Sequence, residues 1–251
     1  TKRALQKAQR IITISETSAR DIARFYPAIK EKIRLVPLGV ERRFFQVEER
    51  TLEKVKEKYS LPAFFILFVG TLEPRKNLEN LLEGYYRLPP PLKKKYKLVI
   101  AGQKGWQYQG IFHKVADLNL KERVVFLDYV EDEDLPALYK MASLFIMPSF
   151  YEGFGLPILE AMAAGLPVVI SQTPALEEVA KDCAIYILPN SYFSIAQGME
   201  KILKSKKLQE RLKAQSIQRA REFSWQKTAR ATLKVYQEVI SEQGSVINKK
   251  Q

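Results

Sequence analysis

The chain has 251 residues, with 41 Lys and Arg against 28 Asp and Glu, a formal net charge of +13, and 46 % hydrophobic residues. That is too apolar for a disordered tail and too mixed for a fibrous chain. A single cysteine, Cys183, excludes an internal disulfide framework and a cysteine zinc site, and a single histidine, His113, excludes His-rich metal centres and any mechanism that needs two imidazoles.

Apolar, β-branched runs alternate with amphipathic stretches. Residues 11–15 read as a strand, 17–26 as a helix stopped by Pro27, and 33–38 as a second strand turned by Gly39. A charged, exposed helix is expected over 52–59. Residues 64–70 read as a strand and 78–88 as a helix closed by Pro89, Pro90 and Pro91, after which Lys93, Lys94 and Lys95 read as a solvated turn, with membrane contact as the alternative. Further strands are expected at 97–101, 123–127, 144–147, 168–171 and 184–188, separated by helices at 106–118, 133–142, 156–164 and 176–180. Helical stretches over 192–204, 206–222 and 225–242 finish the chain.

Strand–helix alternation with nearly continuous apolar strands implies a parallel sheet covered on both faces. Six such units between residues 64 and 188 predict an α/β, doubly wound, Rossmann-like nucleotide-binding domain, with ligands outside the carboxyl ends of the strands. The loops that follow Gly70, Ala101, Leu127 and Met147 are therefore the ones to search. Residues 1–40 read as the last strand–helix–strand of a different unit, because one βα unit cannot bury its own faces.

The charge is uneven. Residues 131–190 hold nine acids and two bases, whereas both ends are basic. That acidic block argues against a broad nucleic-acid footprint, and no nucleic-acid partner is expected. The basic ends read as solvated helix faces or as surfaces attracted to phosphates or anionic lipid head groups. The longest apolar run, 63–69, is about a third of a membrane-spanning helix. No signal peptide is apparent, and a chain beginning at Thr1 reads as a processed or truncated piece of something longer.

Two loops carry the chemistry. In Gly70-Thr71-Leu72-Glu73-Pro74-Arg75-Lys76-Asn77 a buried strand ends at Gly70, and two cations precede a helix whose expected cap is Asn77. Cations beside free amides at a helix start make an anion site, suited to a diphosphate without a metal. Simple solvation of the loop is an equal reading. In the stretch 148–165, Gly153 and Gly155 allow close approach and unusual φ, Pro157 fits a first helical turn, and Glu160 lies about one turn in. The amides from Gly153 to Leu156 could face a developing negative charge. Seven residues separate Glu152 from Glu160, so the two carboxylates are expected at the ends of one small site, although such a pair alone carries little information.

Glu152-Gly-Phe-Gly-Leu-Pro-Ile-Leu-Glu160-Ala-Met-Ala-Ala-Gly-Leu-Pro-Val-Val resembles the signature of retaining, nucleotide-sugar-dependent glycosyltransferases of family 4. The stretch from Val69 to Asn77 resembles that family's phosphate loop, and 12–15 and 35–40 its interdomain region. The likeness runs from about residue 11 to 202. It implies a B-type glycosyltransferase fold of two Rossmann-like domains, with the tail of the N-terminal acceptor domain at 1–45, the donor-binding C-terminal domain at 46–223, and a helix crossing back at 224–251. It implies that Glu160 accepts from the donor ribose. Glu152 contacts the transferred sugar, close to Gly153, Phe154, Gly155 and Leu156. Arg75 and Lys76 neutralise the leaving diphosphate in place of a metal, beside Gly70 and Thr71, and Tyr129 and Val130 border the base.

Many members carry Arg where Thr71 stands, which places more load on Arg75, and a glycine where Asp128 stands. The resemblance favours a hexose donor, GDP-mannose, no cofactor and no metal. The implied acceptor is a saccharide or lipid-linked saccharide, and the implied location cytoplasmic or peripheral at the inner membrane face. With the acceptor domain's glycine-rich loop missing, the chain alone is expected to bind donor and transfer little. The alternatives are a non-catalytic sugar-nucleotide-binding subunit of a split enzyme, or a basic membrane-surface or nucleic-acid binder. His113 reads as a surface or core residue, Cys183 as a small buried one, and Phe150, Tyr151 and Phe154 as packing for the loop.

Overall fold

A computed structural model of the protein describes residues 2–248, with side chains through 242. In chain order the elements are α1 (Lys2–Lys7), β1 (Ile11–Thr13), α2 (Glu16–Phe25), β2 (Ile33–Leu35), α3 (Glu49–Lys58), β3 (Phe65–Val69), α4 (Leu78–Tyr86), α5 (Pro90–Lys95), β4 (Lys97–Ala101), α6 (Gln109–Asp117), β5 (Val124–Asp128), α7 (Leu135–Met141), β6 (Leu144–Met147), α8 (Leu156–Ala163), β7 (Val168–Ser171), α9 (Pro174–Ala180), β8 (Ala184–Ile187), α10 (Tyr192–Leu203), α11 (Lys206–Ala220) and α12 (Trp225–Asn248). They fall into two compact units, one of residues 1–40 with 223–251 and one of residues 41–222.

The larger unit is built on a six-stranded parallel sheet in the order β5-β4-β3-β6-β7-β8. Its two inner strands, β3 and β6, are buried almost throughout: Ile66, Leu67, Phe68 and every residue of β6 are fully shielded. That is why these strands read as unbroken apolar runs rather than as alternation. Tyr85 on α4 is fully buried and donates its hydroxyl to Tyr96 O at 2.8 Å, which satisfies the one polar atom that it brings into the core. The acidic block is partly answered by the basic α3, whose Lys58 reaches Asp134 at 2.7 Å and Glu131 at 3.0 Å.

In the smaller unit β1 and β2 pair in parallel, Ile11 with Ile33 through Thr13 with Leu35. The helix α12 belongs to this unit. Thr228 Oγ1 donates to Pro37 O at 2.8 Å, Arg34 bonds Glu238 at 2.9 Å, and Val40 bridges Ser224. A Cβ on Gly39 would stand 2.1 Å from Trp225 N, so only glycine lets the chain pass here.

Three expectations change. Residues 90–95 form α5 rather than a terminator and a solvated turn, because proline is tolerated in the first helical turn, where its missing N–H has no intrahelical partner. The helix expected over 106–118 begins only at Gln109, because Gln107 takes a left-handed φ of 50°. The two strands of the smaller unit are three residues each, shorter than expected at 11–15 and 33–38.

Candidate functional site

The strands β3 and β6 are neighbours, but the chain proceeds from them to opposite edges of the sheet, β4 on one side and β7 on the other. Their carboxyl ends therefore open a crevice at the topological switch point. The loops that leave them meet there: Phe150 N donates to Arg75 O at 2.9 Å. Asn77 ties the crevice further, its amide donating to Pro148 O at 2.8 Å and Pro189 O at 2.7 Å. It stands at the N-terminus of α4 as expected, but with φ 60° and no side-chain capping bond. A capping role is thus corrected to a cross-link, made possible because Asn tolerates the left-handed region.

Lys76 and Glu152 are both buried, and Lys76 Nζ donates to Glu152 Oε1 at 2.8 Å. Arg75 donates to Glu152 Oε2 at 2.8 Å, to Tyr151 O at 2.8 Å and to Glu73 at 2.5 Å. The two cations are therefore held by two carboxylates rather than free in a solvated loop. Burial pushes the Glu152 carboxyl up, but the Lys76 charge and hydrogen bond, followed by Ser149 and Arg75, outweigh it and hold the carboxyl below its ordinary value. For Arg75 burial works against the charge, and Glu152 and Glu73 reverse it, raising the pKa.

Past this cluster the chain enters α8 through Gly155, at φ 99°, with Pro157 in the first turn. Only glycine adopts that φ readily, and a Cβ would also meet Leu176 Cδ2 at 2.7 Å. Gly153, by contrast, does not take a positive φ. The backbone from Gly153 to Leu156 lies at the positive end of the α8 dipole. Phe154 is buried and packs the loop, while Phe150 and Tyr151 are 44 % and 48 % exposed.

Glu160 sits in the second turn of α8, where Tyr139 Oη of α7 donates to its Oε2 at 2.9 Å. Tyr139 is fully buried, edge-on to Phe44 at 5.8 Å and tilted against Phe145 at 5.6 Å. Burial raises the Glu160 pKa to about 7, opposed by the Tyr139 bond and by Arg43, and reinforced by Glu41 and Asp132. Arg43 bonds Glu41, while its own Nε is buried without a partner. Among the described residues Glu160 and the Lys76–Glu152 cluster share no hydrogen bond or ion pair. The two carboxylates thus occupy two separate polar clusters along one helix start rather than bonding within a single one.

A third feature lies at the carboxyl ends of β3, β4 and β5. A pocket of about 280 Å³ is lined by Gly70 and Thr71, by Gly102 and Gln103, and by Tyr129, Val130 and Asp132. A Cβ on Gly102 would stand 2.0 Å from Gly70 O, so the two strand ends meet only because that residue is glycine. Asp128, at φ 50°, holds the left-handed turn that aims Tyr129 outward, 56 % exposed. That backbone explains why a glycine suits the position in the resembling family. The structure brings Gly70, Thr71, Tyr129 and Val130 to this pocket and Arg75, Lys76 and Glu152 to the crevice.

Sequence reasoning missed Tyr139, Arg43, Glu73 and the cross-linking role of Asn77. Gln103 and Asp132 had a signal, since both follow strand ends. His113 is exposed and Cys183 buried, so neither joins the site. Among the described residues no group of three or more His, Cys, Asp or Glu is placed to hold a metal, and no helix is long and apolar enough to cross a membrane.

Fold and crevice together define a Rossmann-like domain of the B-type glycosyltransferase class. The description of the glycosyl transferases group 1 family matches residues 49–219, and the chain belongs to that family. It is 35 % identical over 234 residues to the O-antigen chain mannosyltransferase B of Escherichia coli, covering 93 % of this chain and 61 % of that protein. It is 31 % identical to the MMP alpha-(1->4)-mannosyltransferase of Mycolicibacterium hassiacum, covering 96 % of this chain and 56 % of that one. The chain thus spans about 60 % of the length of these relatives. Sucrose-phosphate synthase from Thermosynechococcus elongatus superposes with a TM-score of 0.83 at 25 % identity, covering 96 % of this chain and 61 % of that one. Anabaena HepE in complex with UDP and glucose superposes with a TM-score of 0.82 at 18 % identity, covering 95 % and 65 %.

Proposed function

We propose that the chain is the donor-binding portion of a retaining hexosyltransferase that moves mannose from a nucleoside diphosphate sugar, GDP-mannose, to a saccharide or lipid-linked acceptor. The observation that carries this reading is the pair of cations, Arg75 and Lys76, held by buried Glu152 at the switch point of the sheet. Mannosyltransferases among the relatives support the choice of sugar. Lys76 and Arg75 stabilise the negative charge that grows on the diphosphate as the glycosidic bond breaks, which is work that a metal would otherwise do. The positive end of α8 adds to that field. Glu152 aligns the two cations and presents its carboxylate edge to the sugar. Glu160 accepts from the ribose hydroxyls, and the pocket beside Tyr129 and Val130 borders the base. The location that goes with this reading is cytoplasmic, at the inner membrane face where the acceptor is lipid-linked.

Calorimetry of the chain with GDP-mannose and UDP-mannose tests the reading. GDP-mannose is expected to bind without added metal, and Lys76→Ala to weaken it by 10- to 100-fold, the worth of a charge-assisted bond of about 1.5–3 kcal/mol. Glu160→Ala is expected to weaken it as well. Absence of binding by either sugar nucleotide, or binding indifferent to both substitutions, would refute the assignment.

A further inference from the structure

At the opposite, amino-terminal end of the same sheet lies a cavity of about 680 Å³. Its floor comes from the residues just before four strands: Phe64, Tyr96, Ser143 and Pro167. Five lysines, Lys95, Lys140, Lys204, Lys206 and Lys213, surround it, and Glu210 is the one carboxylate in its lining. Lys204 is answered by Glu200, and Lys95 lies over the rings of Phe64 and Tyr96 at 4.8 and 5.1 Å. Lys140 and Lys213 have neither a carboxylate nor a carbonyl partner among the described residues. Burial, followed by the Lys213 charge, pushes the Lys140 ammonium below the ordinary lysine value, so the two cations repel each other across the cavity.

A second observation points the same way. Lys206, Gln209, Glu210 and Lys213 recur at helical spacing along α11, and that face of the helix lines the cavity. The first turn of α11 holds Lys206 and Lys207 and no acid. Cations at the positive pole of a helix are disfavoured, whereas an anion there is stabilised both by the dipole and by the lysines. The lysines are thus placed against local preference, in a concave site with apolar walls from Phe64, Leu166 and Pro167.

We propose that this cavity is a second ligand site, distinct from the crevice, which binds a phosphate-bearing anion of at least two negative charges between Lys140, Lys206 and Lys213. The anion lies against the first turn of α11, and the apolar walls take the organic part of the ligand. The chemistry is common to a soluble phosphate ester and to an anionic phospholipid head group.

The test titrates the full chain with inorganic pyrophosphate and follows amide chemical shifts. Saturable shifts are expected at Ser143 and Gly165, which line the cavity, separately from those at Gly70 and Gly155 at the carboxyl ends of the strands. Removing both charges with Lys140→Gln and Lys213→Gln should weaken the Ser143 and Gly165 response at least 10-fold, while Lys104→Gln, at the carboxyl end of the sheet and outside the lining, should change it less than 2-fold. Unchanged Gly70 shifts report that the double variant is folded, and Lys206→Gln alone provides a milder second variant, expected to weaken the same response. Flotation with vesicles of phosphatidylglycerol in phosphatidylcholine separates the sources. Binding lost in the double variant identifies a lipid head group, and a pyrophosphate response without vesicle binding identifies a soluble phosphate ester. A lack of saturable shifts at Ser143 and Gly165, or an affinity that the double variant leaves unchanged, overturns the proposal.

Discussion

Glu152 and Glu160 have the same chemistry, lie on the same stretch of chain, and are driven in opposite directions. Glu152 meets two cations and stays ionised; Glu160 meets a tyrosine hydroxyl in a buried place, and its pKa rises to about 7. The Glu160 shift has a consequence for stability. A carboxyl with a pKa higher in the folded than in the unfolded chain binds more protons when folded between about pH 4.5 and 7. Its contribution is therefore present at low pH and is lost as pH rises through that window. The size is on the order of 3 kcal/mol. Urea unfolding of the wild type and Glu160→Gln at pH 5 and pH 7.5 checks this. The variant should gain on the wild type as pH rises, and a difference that is flat with pH would contradict the assignment. At this scale the loops that carry Arg75, Lys76 and Glu152 were legible from their places after strands, whereas the roles of those residues came from the family resemblance, and their mutual ion pairs from neither. Tyr139 was not: 21 residues before its partner, it reads as one more core aromatic, and nothing local says that its hydroxyl needs an acceptor.

Between the elements, Asn77 decides how the loops after β3 and β6 stay together and how both are held to Pro189. It combines a left-handed backbone with an amide that serves two carbonyls. Two substitutions separate these roles. Asn77→Gly keeps the backbone and loses the bonds, whereas Asn77→Ala loses both. Each is expected to destabilise the 41–222 unit by a few kcal/mol, with Ala worse than Gly by about 1 kcal/mol from the left-handed conformation alone. Chemical denaturation of the two variants measures the difference, and equal losses would show that the backbone carries no strain. The same reasoning explains α5. Three prolines signal termination to any reader of local pattern, yet Pro90 and Pro91 open a helix, because the first turn has no use for their missing N–H groups. Only the arrival of Tyr96 in the core, under the Tyr85 hydroxyl, fixes where that helix must stop.

On the scale of the molecule, the chain leaves its first unit at residue 40 and returns to it at 223. The smaller unit has a two-stranded sheet that buries little by itself, and α12 supplies its packing through Val235, which is buried, and through the Thr228 and Glu238 bonds. Deleting residues 225–251 is therefore expected to make residues 1–40 at least 10-fold more sensitive to limited proteolysis while 41–222 stays resistant. Mass spectrometry of the fragments reads this out, and equal protection of 1–40 with and without α12 would sink it.

In the larger unit, strand positions, their parallel character, the six-unit count and the loops worth searching were set by the sequence alone. Each depends on apolar runs and breakers within a few residues of one another. Tertiary structure decided which groups meet: Lys76 with Glu152, Asn77 with Pro189, Tyr139 with Glu160, and the lysines of α7 and α11 around one cavity. Those partners lie from 21 to more than 100 residues apart, and only the order in which the strands pack brings them within hydrogen-bonding or charge–charge range.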